Sequence, residues 1–207
     1  MFFQRDGGAE VARLRELPLN FDPPQQPREP DWRVDDFRQR LPPEPPGEPL
    51  PGGTWELACA LVRDYKFADP MLVTRVRRSS PRLADSELLL TTRFHGLVFH
   101  LPCRVGEVVD DTVDGVRRWG WNYRTLQGHL EQGQMDFAVR KDLATGEVEF
   151  RLHAYSRPAR IDNPVVRLGF LLFGRSTQLR FMRGACARMA ALTRPPAAAP
   201  TGRSRRP

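Results

Sequence analysis

From residue 148 to residue 157 the chain reads Val148-Glu149-Phe150-Arg151-Leu152-His153-Ala154-Tyr155-Ser156-Arg157. Successive side chains of a strand point to opposite faces, so Phe150, Leu152 and Ala154 fall on one side and Glu149, Arg151 and His153 on the other. One side is suited to a core and the other to water. That is the alternation of an antiparallel sheet with one covered face, and such a sheet needs something to cover it.

Upstream, strand signals run from Met71 to this segment, broken by the turn pairs Asp114-Gly115 and Thr145-Gly146. They predict an antiparallel meander of about five to six strands. The same alternation assigns Leu88, Leu90, Phe94, Leu97, Phe99, Leu101, Cys103, Trp119, Trp121, Tyr123, Met135, Phe137 and Val139 to the apolar face. Downstream, Asn163 can cap a helix and Pro164 suits its first position. Val165, Leu168, Leu172, Leu179, Met182, Cys186 and Met189 then recur at helical spacing, giving one apolar stripe about 29 residues long. This long C-terminal helix is the expected cover, with a kink expected at Gly174.

Before the sheet, Thr54 reads as an N-cap and Trp55, Ala58, Cys59, Leu61, Val62 and Tyr65 as one face of a short helix near 55–66. Eleven of the 20 prolines precede residue 54, which argues against regular sheet or long helix in that stretch. Trp32, Val34, Phe37 and Leu41 are nevertheless too apolar for a linker, so residues 31–41 are expected to lie on the domain as a strap. The fold class is therefore α+β. Residues 1–53 form a proline-rich extension partly packed as a strap, 54–193 a single domain, and 194–207 a basic tail expected to be disordered.

The formal charge of +7 is unevenly placed. Residues 194–207 contribute +4, residues 1–53 contribute −3, and the remaining +6 is spread among fifteen acids. No basic stripe interleaved with exposed aromatics appears, so nucleic acid is not an expected partner. The longest apolar run, Leu168–Phe173, is far short of a membrane span, so integral membrane association is not expected either. Cys59, Cys103 and Cys186 are odd in number and widely spaced, which fits free thiols in a reducing, cytoplasmic setting. No extended apolar leader follows Met1-Phe2-Phe3.

The string Tyr123-Arg124-Thr125-Leu126-Gln127-Gly128-His129-Leu130-Glu131-Gln132-Gly133-Gln134 resembles the "YGTLpGHpe.GE" signature of the family catalogued as domain of unknown function 1990, also described as UPF0548-like. His153-Ala154-Tyr155-Ser156-Arg157-Pro158-Ala159 resembles that family's "fSRPa" block, followed by Pro164 and Arg167. Arg124, Gln127 and Gln134 depart from the usual Gly, Pro and Glu. The resemblance spans roughly residues 54–193 and implies kinship with the helix-grip superfamily of START-like and Bet v 1-like domains. That superfamily often binds apolar ligands between sheet and helix.

If the last hairpin turns at 142–146, antiparallel partners sum to about 288 and Glu131 falls opposite Arg157. His129, Glu131, Ser156 and Arg157 would then meet at one end of the sheet. Two readings stand for them, an acid/base pair with an anion-binding arginine, or a salt bridge clamping a loop. The apolar face, with Trp119, Trp121, Tyr123 and Thr125, is either an open pocket for a hydrophobic molecule or a filled core. The leading expectation is a non-enzymatic module holding a small apolar or lipid-like ligand. The alternatives are an enzyme using His129, Glu131 and Arg157, or a protein-interaction domain. No cofactor is expected, and no pair of histidines has metal-site spacing.

Overall fold

The computed structural model describes residues 11–24, 30, 32–94 and 97–194. Seven strands form one antiparallel sheet: β1 (Arg33–Leu41), β2 (Val73–Arg78), β3 (Glu87–Phe94), β4 (Leu97–Val113), β5 (Val116–Thr125), β6 (Glu131–Asp142) and β7 (Val148–Pro158). Their spatial order is β1-β7-β6-β5-β4-β3-β2. Two helices join them, α1 (Thr54–Arg63) and α2 (Pro164–Leu192). The fold class is α+β, as the alternation predicts, with seven strands rather than five or six.

The additional strand is the strap. Residues 33–41 contain no proline, and they pair with β7 from Arg33 opposite Ser156 to Leu41 opposite Val148. Proline excludes sheet only where it stands. The expectation that the proline-rich stretch avoids regular sheet therefore fails for this segment. Just before it, Trp32 packs edge-on against Phe21 and Tyr155 at 5.5 and 5.3 Å between centroids, on the outer face.

The face assignment matches the observed burial along most of the sheet. Phe150, Leu152 and Ala154 are buried, whereas Glu149, Arg151 and His153 are half-exposed. The Asp114-Gly115 turn has both residues at positive φ, 50° and 74°, as the tightest hairpin connection requires.

The cover is shared between two helices. Trp55, Ala58, Cys59, Leu61 and Val62 of α1, with Tyr65 and Phe67, close over Trp121, Phe137 and Phe150. Met182, Ala185, Cys186 and Met189 of α2 join the same core. Thr54 is the first helical residue of α1 and not its cap. Gly53 holds the cap position without a side-chain bond, and the Trp55 amide donates instead to Glu44 Oε1 at 2.8 Å. Glu44 Oε2 accepts from Lys141 Nζ at 2.7 Å, and that lysine is wholly buried. Asn163 caps α2 through Val165 and Val166, as expected, and the helix runs unbroken through Gly174. The tail from Pro195, and His95 with Gly96, lie outside the described residues.

Candidate functional site

One end of the sheet gathers the start of β6, the ends of β5 and β7 and the start of β1. Partner numbers along β6 and β7 sum to 289, one more than the expected 288. Glu131 stands opposite Pro158, and Arg157 stands opposite Gln132. A shift of one residue moves a side chain to the other face. Glu131 therefore shares the inner, core-side face with Gly133 and Met135, while Arg157 is on the outer face. There the Arg157 guanidinium donates to Gln132 Oε1 at 2.7 Å and lies 4.4 Å from the Trp32 ring centroid. The expected Glu131–Arg157 pair does not form.

The inner rim holds a different set. Arg33 and Asp35 come from β1, Ser156 from β7, Glu131 from β6, and Arg175 with Gln178 from α2. Arg175 donates to both Asp35 oxygens at 2.6 and 2.7 Å and to Gln178 Oε1 at 2.9 Å. Gln178 Nε2 in turn donates to Ser156 Oγ at 2.9 Å. Burial pushes the Glu131 carboxyl up to about 7, against the pull of Arg33, Arg175 and the Ser156 hydroxyl. The inner face thus carries ionisable groups at this end.

His129 is committed to the loop. Its Nδ1 accepts the Glu131 amide at 2.9 Å, and burial pushes its pKa down to about 4. Thr125 Oγ1 donates to Asn20 and accepts the Gly133 amide at 3.0 Å. Gly133 itself has φ 151°, and a side chain there would collide with the Tyr155 carbonyl. Trp119, Trp121 and Tyr123 are buried. Trp121 donates its indole N–H to the Val62 carbonyl at 3.2 Å, and the Tyr123 hydroxyl meets Met135 Sδ at 3.6 Å. Beneath α1 and the second half of α2 the apolar face is a filled core.

Beyond the rim it is not filled. Ser156 meets Gln178, so the eleven residues Pro164 to Gly174 run on past the last β6–β7 pair, a length of about 16 Å. The hairpin of β3 and β4 projects past the same end, because β5 pairs with β4 only from Cys103 onward. Leu168, Leu171 and Leu172 continue the helix face that buries Met182 and Met189, yet they are 59%, 63% and 64% exposed. On the sheet side, inner-face Leu97 is 57% exposed and Phe99 and Leu101 are half-exposed. The expected single apolar stripe is present, but only its second half has a sheet to lie on.

A hollow of about 450 Å³ lies on the opposite, outer face, over Gly120 and Ala138. Two of its arginines are already paired, Arg118 to Asp111 and Arg151 to Asp36. Glu107, Asn122, Asp136 and Arg140 complete a largely polar lining. The three cysteines are buried and free. Burial raises Cys59 to about 12 and Cys186 to about 11, so neither supplies a thiolate.

The residues that sequence reasoning missed are Arg33, Asp35, Arg175 and Gln178. The signal for Arg33 and Asp35 was present: they alternate with Val34 and Asp36 in a proline-free run. Arg175 and Gln178 are three apart on the apolar side of a helix, a spacing that faces a common neighbour.

A family model described as "Domain of unknown function (DUF1990)" matches residues 20–188. No curated protein sequence matches the chain. Among solved structures, a hypothetical protein from Helicobacter pylori is 12% identical, with a TM-score of 0.47, covering 84% of this chain and 99% of its own. Major latex-like protein 151 from Panax ginseng is 11% identical, with a TM-score of 0.46 and coverage of 79% and 99%. Ara h 8.0201 is 8% identical, with a TM-score of 0.42 and coverage of 77% and 99%. At these scores the likeness is too distant to speak for function.

Proposed function

The chain belongs to the DUF1990 family, and from that premise and the geometry of the inner end we propose that it is a non-enzymatic module binding a small apolar or amphiphilic molecule. The observation that carries this reading is the uncovered continuation of the core-facing stripe, Leu168, Leu171 and Leu172, together with the exposed inner-face apolar residues of β4. Exposed apolar surface that continues a core is the informative kind, because it costs solvation unless something covers it. The filled core beneath α1 restricts the occupant to the projecting end. Loop residues 126–130 flank that end, in keeping with a mouth there.

The N-terminal residues Val11 and Leu14 pack against Leu89 and Leu126 on the outer face, away from the cleft. Residues 195–207 contain only Pro, Ala, Thr, Gly, Arg and Ser, and they follow the far end of α2. Trp32, which would otherwise suit a partner, is buried against Phe21 and Tyr155. Among the described residues no helix is long and apolar enough to cross a membrane. Three buried free thiols support residence in a reducing, cytoplasmic compartment.

Native mass spectrometry of protein purified from its own source tests the reading. A co-purified small molecule that is absent from the Leu168→Asp/Leu172→Asp variant supports it. Association of two chains through this surface, abolished by the same variant and without bound small molecule, overturns it.

A further inference from the structure

We propose that the rim of this cleft anchors an anionic head group, with Arg33 as its ion-pairing partner and Glu131 and Ser156 as hydrogen-bonding neighbours, so that the occupant is an amphiphile ending in a carboxylate. The inference rests on the apolar-cleft reading and adds the chemistry of the polar end. Most of the rim is already committed. Asp35 takes two bonds from Arg175, Arg175 also holds Gln178, and Gln178 donates to Ser156. One cation is left over, beside a carboxyl, Glu131, that the Ser156 hydroxyl bonds. Arg33, cross-strand from Ser156 on the inner face, is exposed and has no ion pair or hydrogen bond among the described residues. Glu131 is near enough to feel both Arg33 and Arg175.

The sign of the occupant follows. A cationic head would be repelled by Arg33 and would compete with Arg175 for Asp35. A neutral head would leave the Arg33 guanidinium unpaired. A carboxylate matches the planar fork of Arg33 with two parallel hydrogen bonds. Its neighbour Glu131 would repel it if ionised, but burial raises that carboxyl to about 7, so below that pH it carries a proton to donate. The other groups around Glu131 do not reverse this. They are Asp35 on β1, Arg175 on α2, Ser156 on β7, and the un-ionised Cys103 and Tyr123 on β4 and β5. His129 is held neutral by burial.

The test is displacement of Nile red, an uncharged apolar dye, by dodecanoate and by dodecanol at pH 6 and pH 8. In the wild-type chain dodecanoate is expected to displace the dye at about tenfold lower concentration than dodecanol at pH 6, the equivalent of one charge-assisted bond. That preference shrinks at pH 8. Arg33→Met removes the preference while leaving dodecanol unchanged, and Arg33→Lys restores part of it. Thermal melts confirm that the exposed position leaves folding intact. An undiminished preference in Arg33→Met overturns the anchor, and a preference independent of pH removes Glu131 from it. If the dye does not bind the wild-type chain at all, the cleft reading falls and the anchor falls with it.

Discussion

Glu131 and His129 are two residues apart and titrate in opposite directions. Glu131 is raised to about 7, so the native state binds a proton that the unfolded chain has lost, and stability falls as pH rises from the ordinary carboxylate range through 7. His129 is lowered to about 4, so the unfolded chain binds the extra proton, and stability falls as pH drops from about 6.5 toward 4. The two slopes oppose each other between roughly pH 4.5 and 6.5. Glu131→Gln removes one of them. We expect it to raise unfolding free energy at pH 8 by about 1–3 kcal/mol, discounted for partial exposure, and to change it little at pH 5, as urea titrations at the two pH values will read. Alternation back from Met135 sets Glu131 on the inner face, but which residues stand beside it depends on one residue of register at the hairpin turn and on where the C-terminal helix crosses. The Asp142–Gly146 turn is fixed by bonds to Asp142 Oδ1 and by the Glu44–Gly146 backbone contact, neither of which alternation reveals.

At the scale of elements, the helix and core strands were legible because their apolar periodicity is long and regular. β1 was hidden by the prolines around it. It completes the sheet beyond β7, and its entry is fastened by Trp32 between Phe21 and Tyr155 with Arg157 over the ring. Trp32→Ala is expected to cost about 3 kcal/mol in urea unfolding, the loss of a buried indole and its aromatic partners. The start of α1 was also misread, since its cap arrives from Glu44, eleven residues before Trp55. Burial works to raise the Glu44 carboxyl, but Lys141 and the Trp55 and Leu50 amides outweigh it and hold the carboxyl below its usual range. Lys141→Met leaves that carboxylate buried without its cation and should cost roughly 3–5 kcal/mol. Adding Glu44→Gln should recover part of the loss, and a double-mutant cycle in urea measures the coupling. A loss in the double variant equal to the sum of the two single losses would deny the linkage.

At the scale of the molecule, alternation correctly named the apolar face and helical spacing correctly named the stripe. Neither reveals how far each element extends past its neighbours. Cys103 is where β5 stops pairing with β4, and Ser156 is where α2 crosses the end of β7. Those two positions divide the filled core from the exposed apolar surface of Leu97, Leu168, Leu171 and Leu172, and they follow from strand register and helix placement. The central claim is that the exposed part binds an apolar molecule. Leu168 and Leu172 are mostly exposed, so Leu168→Asp/Leu172→Asp should leave the melting temperature within a few degrees of the wild-type value. The direct measurement is an equilibrium titration of Nile red into the two proteins, followed by fluorescence. The account predicts saturable binding to the wild-type chain, with one dye per protein, and at least tenfold weaker binding to the folded variant. Equal binding by both proteins, or no binding by the wild-type chain, would contradict it.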